Sequence, residues 1–261
     1  MKRLIDKYSV FIFDLDGTIY RGNKIIPGAD ETINYLKQLG MKTLFISNKT
    51  TGGVKDYYSF LKKWNVNIEL DEIITSTIVL KKYLSKNYSS SKFFAIGEKV
   101  FINEIKNAGI NFSENPEEID LLLVTLDRTL NFKKLEIAAK ALEKGAKFYA
   151  ANIDDTCPVD SGEVIDAGST ISALEKRTHL KLEKHFGKPS EFMMNEIKSR
   201  FNFNNNEAII IGDRIETDIA LGNIFGIDTA LVSTGIKNHL NGKSKNKPTF
   251  KLNSVYNLIK D

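Results

Sequence analysis

Short apolar runs alternate with amphipathic stretches through most of the chain. Residues 10–13 (Val-Phe-Ile-Phe), 42–46, 208–211 and 229–232 are brief and apolar, as strands buried on both faces are. Residues 17–26 predict a short hairpin turning at Arg21-Gly22-Asn23, and a helix follows over 27–40, with Pro27 near its first turn and Gly40 at its end. A helix over 54–64 and a short strand near 73–75 complete this series. A second series begins after Thr77, with strands at 93–96, 121–125 and 147–151 and helices at 98–108, 132–144 and 170–176. Its length of about a hundred residues is a normal domain size. A third series runs through the loop 187–190, a helix at 192–201, the strand 208–211, a helix at 218–224 and the strand 229–232. Such alternation argues for an α/β protein of parallel sheets with helices packed on them.

Composition changes this picture little. Apolar residues are 42% and charged residues 27% of 261, ordinary for a globular protein. The net charge of +4 comes from lysines spread over many segments, which argues for a solvated surface and against a nucleic-acid groove. The densest basic stretch, Lys237 to Lys251, is rich in Asn, Gly and Ser and reads as an exposed loop. Cys157 is the only cysteine, so no intrachain disulfide forms, in keeping with a reducing compartment. No apolar run approaches the roughly 18 residues of a membrane span. Lys2 and Arg3 lead into Asp6, Lys7 and an acidic motif, with no signal-peptide core between, so a cytoplasmic location is expected. His179 and His185 read as surface residues, since nothing pairs them into a metal set.

The candidate chemistry lies where three apolar strands end. The first ends in Asp14-Leu-Asp16-Gly-Thr18, the second in Ser47-Asn48 and the third in Gly212-Asp213, with Glu216 and Asp218 just beyond. Parallel strands bring their carboxyl ends to one edge, where open α/β sheets bind ligands. Carboxylates crowded there repel and lose hydration, so they need a cation or a chemical role. Mg²⁺ takes carboxylate, water and phosphate oxygens. A hydroxyl and a lysine, here Ser47 and Lys188, suit the remaining phosphate oxygens. A carboxylate beside the metal can be the nucleophile. Each piece has a plainer reading alone: Asp-Leu-Asp-Gly as a turn, Ser47-Asn48 as a helix cap, 187–190 as a surface loop. The argument rests on the set, its order and its placement.

That set, Asp14-Leu-Asp-Gly-Thr18, Ser47-Asn48, Lys188 and Gly212-Asp213-Arg-Ile-Glu-Thr-Asp218, resembles the four motifs of the haloacid dehalogenase superfamily of phosphohydrolases. Tyr20-Arg-Gly-Asn, Pro27-Gly-Ala, Ala151-Asn-Ile-Asp154, Asp166-Ala-Gly-Ser169, Gly187-Lys-Pro189 and Ser233-Thr-Gly235 are similar to its NagD or 4-nitrophenylphosphatase branch. The resemblance runs essentially end to end and implies a doubly wound, Rossmann-like parallel-sheet core at residues 1–77 and 181–261, with an inserted α/β cap of the class IIA type at 78–180. It implies a Mg²⁺-dependent phosphatase of small phosphorylated metabolites, working through an aspartyl phosphate on Asp14. Asp16 would protonate the leaving oxygen and then deprotonate the attacking water. Mg²⁺ would be held by Asp14, the backbone carbonyl of Asp16 and Asp213; Asp218 would orient the metal's waters or Lys188. Ser47, Asn48, Lys49 and Lys188 would bind phosphate or substrate. A homodimer is also implied; nucleic-acid and membrane partners are not.

Two positions depart from the family pattern. Lys49 stands where a second Asn is common, which adds a charge near the substrate or else points to solvent. Cys157 precedes Pro158 where vertebrate pyridoxal-phosphate phosphatases of the branch carry a His, so it faces the substrate or is a buried structural thiol. Asn152, Asp154 and Asp127 are candidates for shaping the cap side of the pocket. Rival readings are a phosphotransferase or mutase using the same intermediate, and a catalytically silent binding protein on this fold.

Overall fold

A computed structural model describes residues 3–159, 162–235 and 244–260. In chain order the strands and helices are β1 (Val10–Asp14), β2 (Tyr20–Arg21), β3 (Lys24–Ile25), α1 (Ala29–Gln38), β4 (Lys42–Ser47), α2 (Val54–Lys63), β5 (Ile73–Thr75), α3 (Ser76–Asn87), β6 (Lys92–Ile96), α4 (Lys99–Lys106), β7 (Asn111–Phe112), β8 (Leu121–Val124), α5 (Phe132–Glu143), β9 (Lys147–Ala150), β10 (Thr156–Val159), β11 (Gly162–Ile165), α6 (Ala167–Thr178), β12 (Lys184–His185), α7 (Glu191–Arg200), β13 (Ala208–Gly212), α8 (Ala220–Phe225), β14 (Asp228–Val232) and β15 (Phe250–Leu252). The chain divides into two compact units. One takes Met1–Ser47, Val54–Ile74 and Lys188–Asp261; the other takes Asn48–Gly53 and Thr75–Gly187.

The first unit is built on a six-stranded sheet of order β15-β14-β13-β1-β4-β5. The order reverses at β1, which pairs in parallel with β13 on one side and β4 on the other. That is the topological switch point of a doubly wound sheet, where its ligands bind. Every residue of β1 and β13 is buried, which explains their continuous apolar runs. Phe13 and Phe45 are register partners and stack with ring centroids 5.8 Å apart. Each such fully buried side chain contributes about 1.5–3 kcal/mol. The hairpin β2–β3 turns where its Arg21-Gly22-Asn23 segment predicts.

The second unit holds a five-stranded parallel sheet of order β12-β9-β8-β6-β7 and a separate antiparallel hairpin, β10–β11. Its core packs Phe94, Ile96, Leu122, Val124 and Phe148 under Ala138, Leu142, Ile171 and Leu174 of α5 and α6.

The structure departs from the sequence expectation in several places. Helix α6 starts at Ala167 rather than near 170, because Asp166 caps it by accepting the Ala167 N–H at 2.5 Å. The helix expected over 218–224 begins instead with one wide turn over Ile215–Ile219, and only then becomes α8. The hairpin β10–β11 was not anticipated: Pro158 speaks against a central strand, but a two-stranded ribbon has free edges that tolerate it. In the expected basic loop, Lys251 lies on the sheet's edge strand β15; Lys237 and Lys243 lie outside the described residues. No helix among the described residues is long and apolar enough to cross a membrane.

Candidate active site

The register of the first sheet sets three polar groups at neighbouring strand ends. Asp14 is the last residue of β1 and pairs with Ile46, so Ser47 lies one step beyond it on β4. On the other side β13 runs to Gly212, and Asp213 follows. Asp14, Ser47, Asp213 and Asp218 are all buried. Asp16 is partly exposed. Lys188 arrives on the loop before α7, which Ser190 caps by accepting the Met193 N–H at 3.1 Å. The Lys188 side chain is 3% exposed, and its Nζ donates to Asp14 Oδ1 and to Asp218 Oδ1, both at 2.6 Å. The wide turn after Arg214 makes this geometry possible: it folds Asp218 back so that its Oδ2 accepts the Arg214 N–H at 3.0 Å.

Three buried carboxylates cluster here, and Lys188 pairs with two of them. Burial drives the Asp218 carboxyl up to about 6 against the pull of Lys188, and the nearby Asp14 charge adds to the rise. Burial lowers Lys188, but Asp14 and Asp218 outweigh it and hold the ammonium above its ordinary range. Asp14 Oδ2 and Thr18 Oγ1 are buried with no hydrogen-bond partner among the described residues. Such orphaned polar atoms are uncommon in native interiors and call for a missing partner. Oxygens of Asp14, Asp213 and Asp218 lie within 4.8 Å of one another. The donor set is all carboxylate oxygen, which suits a hard divalent cation. The residues fit a metal on both counts.

The walls of this cluster are glycine. Gly17 sits at φ +93°, and a Cβ there would stand 2.6 Å from Asp213 Oδ2. A Cβ on Gly235 would collide with the same oxygen. Thr234 ties the two segments together, its Oγ1 donating to the Gly17 carbonyl at 2.6 Å. Gly17→Ala therefore meets two obstacles: left-handed strain of about 1–2 kcal/mol, and displacement of Asp213. The expected result is a lowered Tm and at least a roughly tenfold loss of kcat/KM. Thermal unfolding with steady-state kinetics checks it, and unchanged kcat/KM would show that Asp213 tolerates the shift.

Thr18 is buried, Thr234 and Gly235 are half-buried and Ser233 is exposed; the closeness of Gly235 to Asp213 and the bond from Thr234 to Gly17 are tertiary facts. The remaining candidates lie in the second unit. Asn48 is buried and its Nδ2 donates to Asp154 Oδ2 at 2.9 Å. Asn152 Nδ2 donates to Asp154 Oδ2 at 3.0 Å and to Asp166 Oδ1 at 3.1 Å. Lys49 is partly exposed. Cys157 is buried on β10. Asp127 accepts from Lys134 Nζ at 2.6 Å. His179 is exposed, as expected, at the end of α6. His185 is not a surface residue: it is largely enclosed on β12, and burial lowers its pKa.

Comparison with known proteins places this geometry. The family described as haloacid dehalogenase-like hydrolase matches residues 11–111, and a second, HAD-hydrolase-like, family matches residues 185–258. The chain is 37% identical over 226 residues to the sugar-phosphatase AraL of Bacillus subtilis, covering 86% of this chain and 82% of that protein. Its fold is similar to a 4-nitrophenylphosphatase of Thermotoga maritima, with a TM-score of 0.89, 29% identity, and coverage of 99% of this chain and 98% of the other. It is likewise similar to a glycerol phosphate phosphatase of Mycobacterium tuberculosis solved in complex with magnesium, with a TM-score of 0.86, 26% identity, and coverage of 100% and 79%. With a relative so alike over most of both chains, and with Asp14, Lys188, Asp213 and Asp218 gathered at the switch point of the sheet, the chain belongs to the haloacid dehalogenase-like hydrolases.

Proposed function

We propose that this chain is a Mg²⁺-dependent phosphatase of small phosphorylated metabolites, with sugar phosphates foremost among them. It is a phosphoric monoester hydrolase by kinship. The observation that carries the residue roles is the state of Asp14: Lys188 engages Oδ1 at 2.6 Å, while Oδ2 is buried and open. That leaves one carboxylate oxygen for bond formation and uses the other for orientation. The sugar-phosphate preference rests on the sugar-phosphatase that the chain resembles over most of its length.

The chain's own residues supply the following chemistry. An Asp14 carboxylate oxygen bonds to phosphorus as the ester P–O bond breaks. Asp16, two residues on and partly exposed, gives its proton to the leaving alkoxide. A water then attacks the phosphorus of the aspartyl phosphate, Asp16 takes its proton, and Asp14 is released with inorganic phosphate. Lys188 and Ser47 neutralise and hydrogen-bond the phosphoryl oxygens. A divalent cation held by Asp14, Asp213 and the Asp16 carbonyl would supply further charge neutralisation at the phosphoryl group. The second unit would serve as a cap that selects substrates.

The test is release of inorganic phosphate from a panel of sugar phosphates, glycerol phosphate, nucleotides, pyridoxal phosphate and 4-nitrophenyl phosphate, with water as the sole acceptor. Release with Mg²⁺ and its loss in EDTA are expected, with sugar phosphates giving the highest kcat/KM. No release from any monoester in Mg²⁺ would overturn the reading, and release only when an acceptor alcohol is added would favour phosphotransfer.

A further inference from the structure

Asn48 is a knot in the second unit. Its side-chain Nδ2 donates to Asp154 Oδ2 at 2.9 Å. Its backbone carbonyl accepts from Ser76 Oγ at 3.1 Å. Its Oδ1 packs so closely on Gly187 that a Cβ there would stand 2.5 Å from it, and 2.8 Å from the Ala151 carbonyl.

The knot is held by a buried network of side-chain hydrogen bonds. Asn152 spends both Nδ2 protons, on Asp154 at 3.0 Å and on Asp166 at 3.1 Å. Its Oδ1 accepts from Thr125 Oγ1 at 3.0 Å. The Thr125 proton is therefore used, so Thr50 is the donor in the 2.6 Å contact between the two hydroxyls. Asp166 also caps α6, and the Asp154 carbonyl accepts the Gly168 N–H at 2.8 Å, so the network is rooted in a helix. Asn48, Thr50, Thr125, Asn152, Asp154 and Asp166 are all buried. A buried, hydrogen-bonded polar network of this kind is rigid, and strongly prefers one arrangement.

The chain neighbours of this knot are the residues that bind phosphate in the hydrolase reading, on which this inference rests. Ser47 precedes Asn48 and Lys188 follows Gly187. We propose that Asp154 is a positioning residue: by holding the Asn48 amide against Gly187 it fixes the backbone just after Ser47 and just before Lys188, the two phosphate-binding side chains. Asn48 in this assignment is a structural clamp rather than a direct substrate ligand. A side chain at position 187 would push the Asn48 amide away, since its Cβ would stand 2.5 Å from Asn48 Oδ1.

The test compares Asp154→Ala, Asp154→Asn, Asn48→Ala and the double variant Asn48→Ala/Asp154→Ala. With 4-nitrophenyl phosphate and Mg²⁺, Asp154→Ala is expected to lower kcat/KM by roughly 10- to 100-fold and to weaken inhibition by inorganic phosphate. Asp154→Asn keeps an acceptor oxygen and is expected to recover part of the loss. The double variant is expected to lose little more than either single one, because both break the same contact. Amide hydrogen exchange supplies a readout free of substrate and metal. In Asp154→Ala, peptides covering 46–50 and 186–190 should exchange faster while α5 is unchanged. Kinetic losses that multiply in the double variant, a kcat/KM within twofold of the parent, or exchange raised evenly through the second unit would each overturn the proposal. If the parent protein hydrolyses no monoester, the hydrolase reading falls, and the exchange pattern still decides the positioning role.

Discussion

Asp14→Asn is expected to abolish turnover while leaving the fold at least as stable. The variant keeps the size of the side chain and an acceptor for Lys188, so the hydrogen bond now at 2.6 Å persists in kind. It removes the carboxylate that forms the covalent intermediate, and loss of a nucleophile lowers kcat by roughly 10³-fold or more. Stability should move the other way. Three buried carboxylates cluster here, two of them on the Lys188 ammonium, and Asp14 is one of the charges that pushes Asp218 upward. Removing it relieves that repulsion and leaves Lys188 paired with Asp218 at 2.6 Å. In EDTA the Tm should be unchanged or higher. Phosphate release near the parent rate would refute the nucleophile assignment, and a large fall in Tm would refute the electrostatic account of the cluster.

Lys188→Met should damage both activity and stability, and its stability cost should depend on pH. The ammonium is the only cation shown contacting Asp14 and Asp218 among the described residues, and its side chain is 3% exposed. Breaking a buried ion pair by deleting one partner costs about 3–5 kcal/mol, because the other partner is left charged and dry. For a chain of this size that corresponds to a Tm fall of roughly 10 °C near neutral pH. The sign follows from linkage. Lys188 holds Asp218 down, so its loss raises the folded-state value above about 6, further from the ordinary 3.8. A carboxyl raised in the folded state loses stability as pH climbs from its unfolded value through its folded value. The deficit should therefore be smallest below about pH 4 and largest above neutrality. Melting curves of both proteins from pH 4 to 8 in EDTA would decide it; a deficit independent of pH would mean that packing, not charge, is what Lys188 contributes. Activity should fall by roughly 10²-fold or more, since a charge aimed at the phosphoryl group is lost.

Much of this architecture is legible in the chain because strands buried on both faces are continuous apolar runs. β1, β4 and β13 announce themselves in that way, and the polar residues that end them stand at one sheet edge once the pairing is parallel. Elements whose stability comes from a single side-chain bond are harder to read. The true start of α6 depends on Asp166 accepting one N–H. The wide turn before α8 depends on Asp218 folding back to Arg214 and Lys188. The β10–β11 ribbon contains a proline that local propensity counts against it. His185 shares its sequence neighbourhood with polar residues, yet pairing of β12 with β9 encloses it.

By itself the sequence determined the α/β class, the strand ends that carry acids, and the presence of a lysine and a hydroxyl suited to phosphate. Those depend on the period and order of residues along the chain. Only the tertiary structure decided that Lys188 spends its protons on Asp14 and Asp218, that Asp14 keeps one oxygen open, and that Asn48 is bound to Asp154. Asp14 and Lys188 are 174 residues apart and Asn48 and Asp154 are 106 apart. No local periodicity encodes partners at that separation; burial, charge and the exclusion of water select them when the sheets assemble.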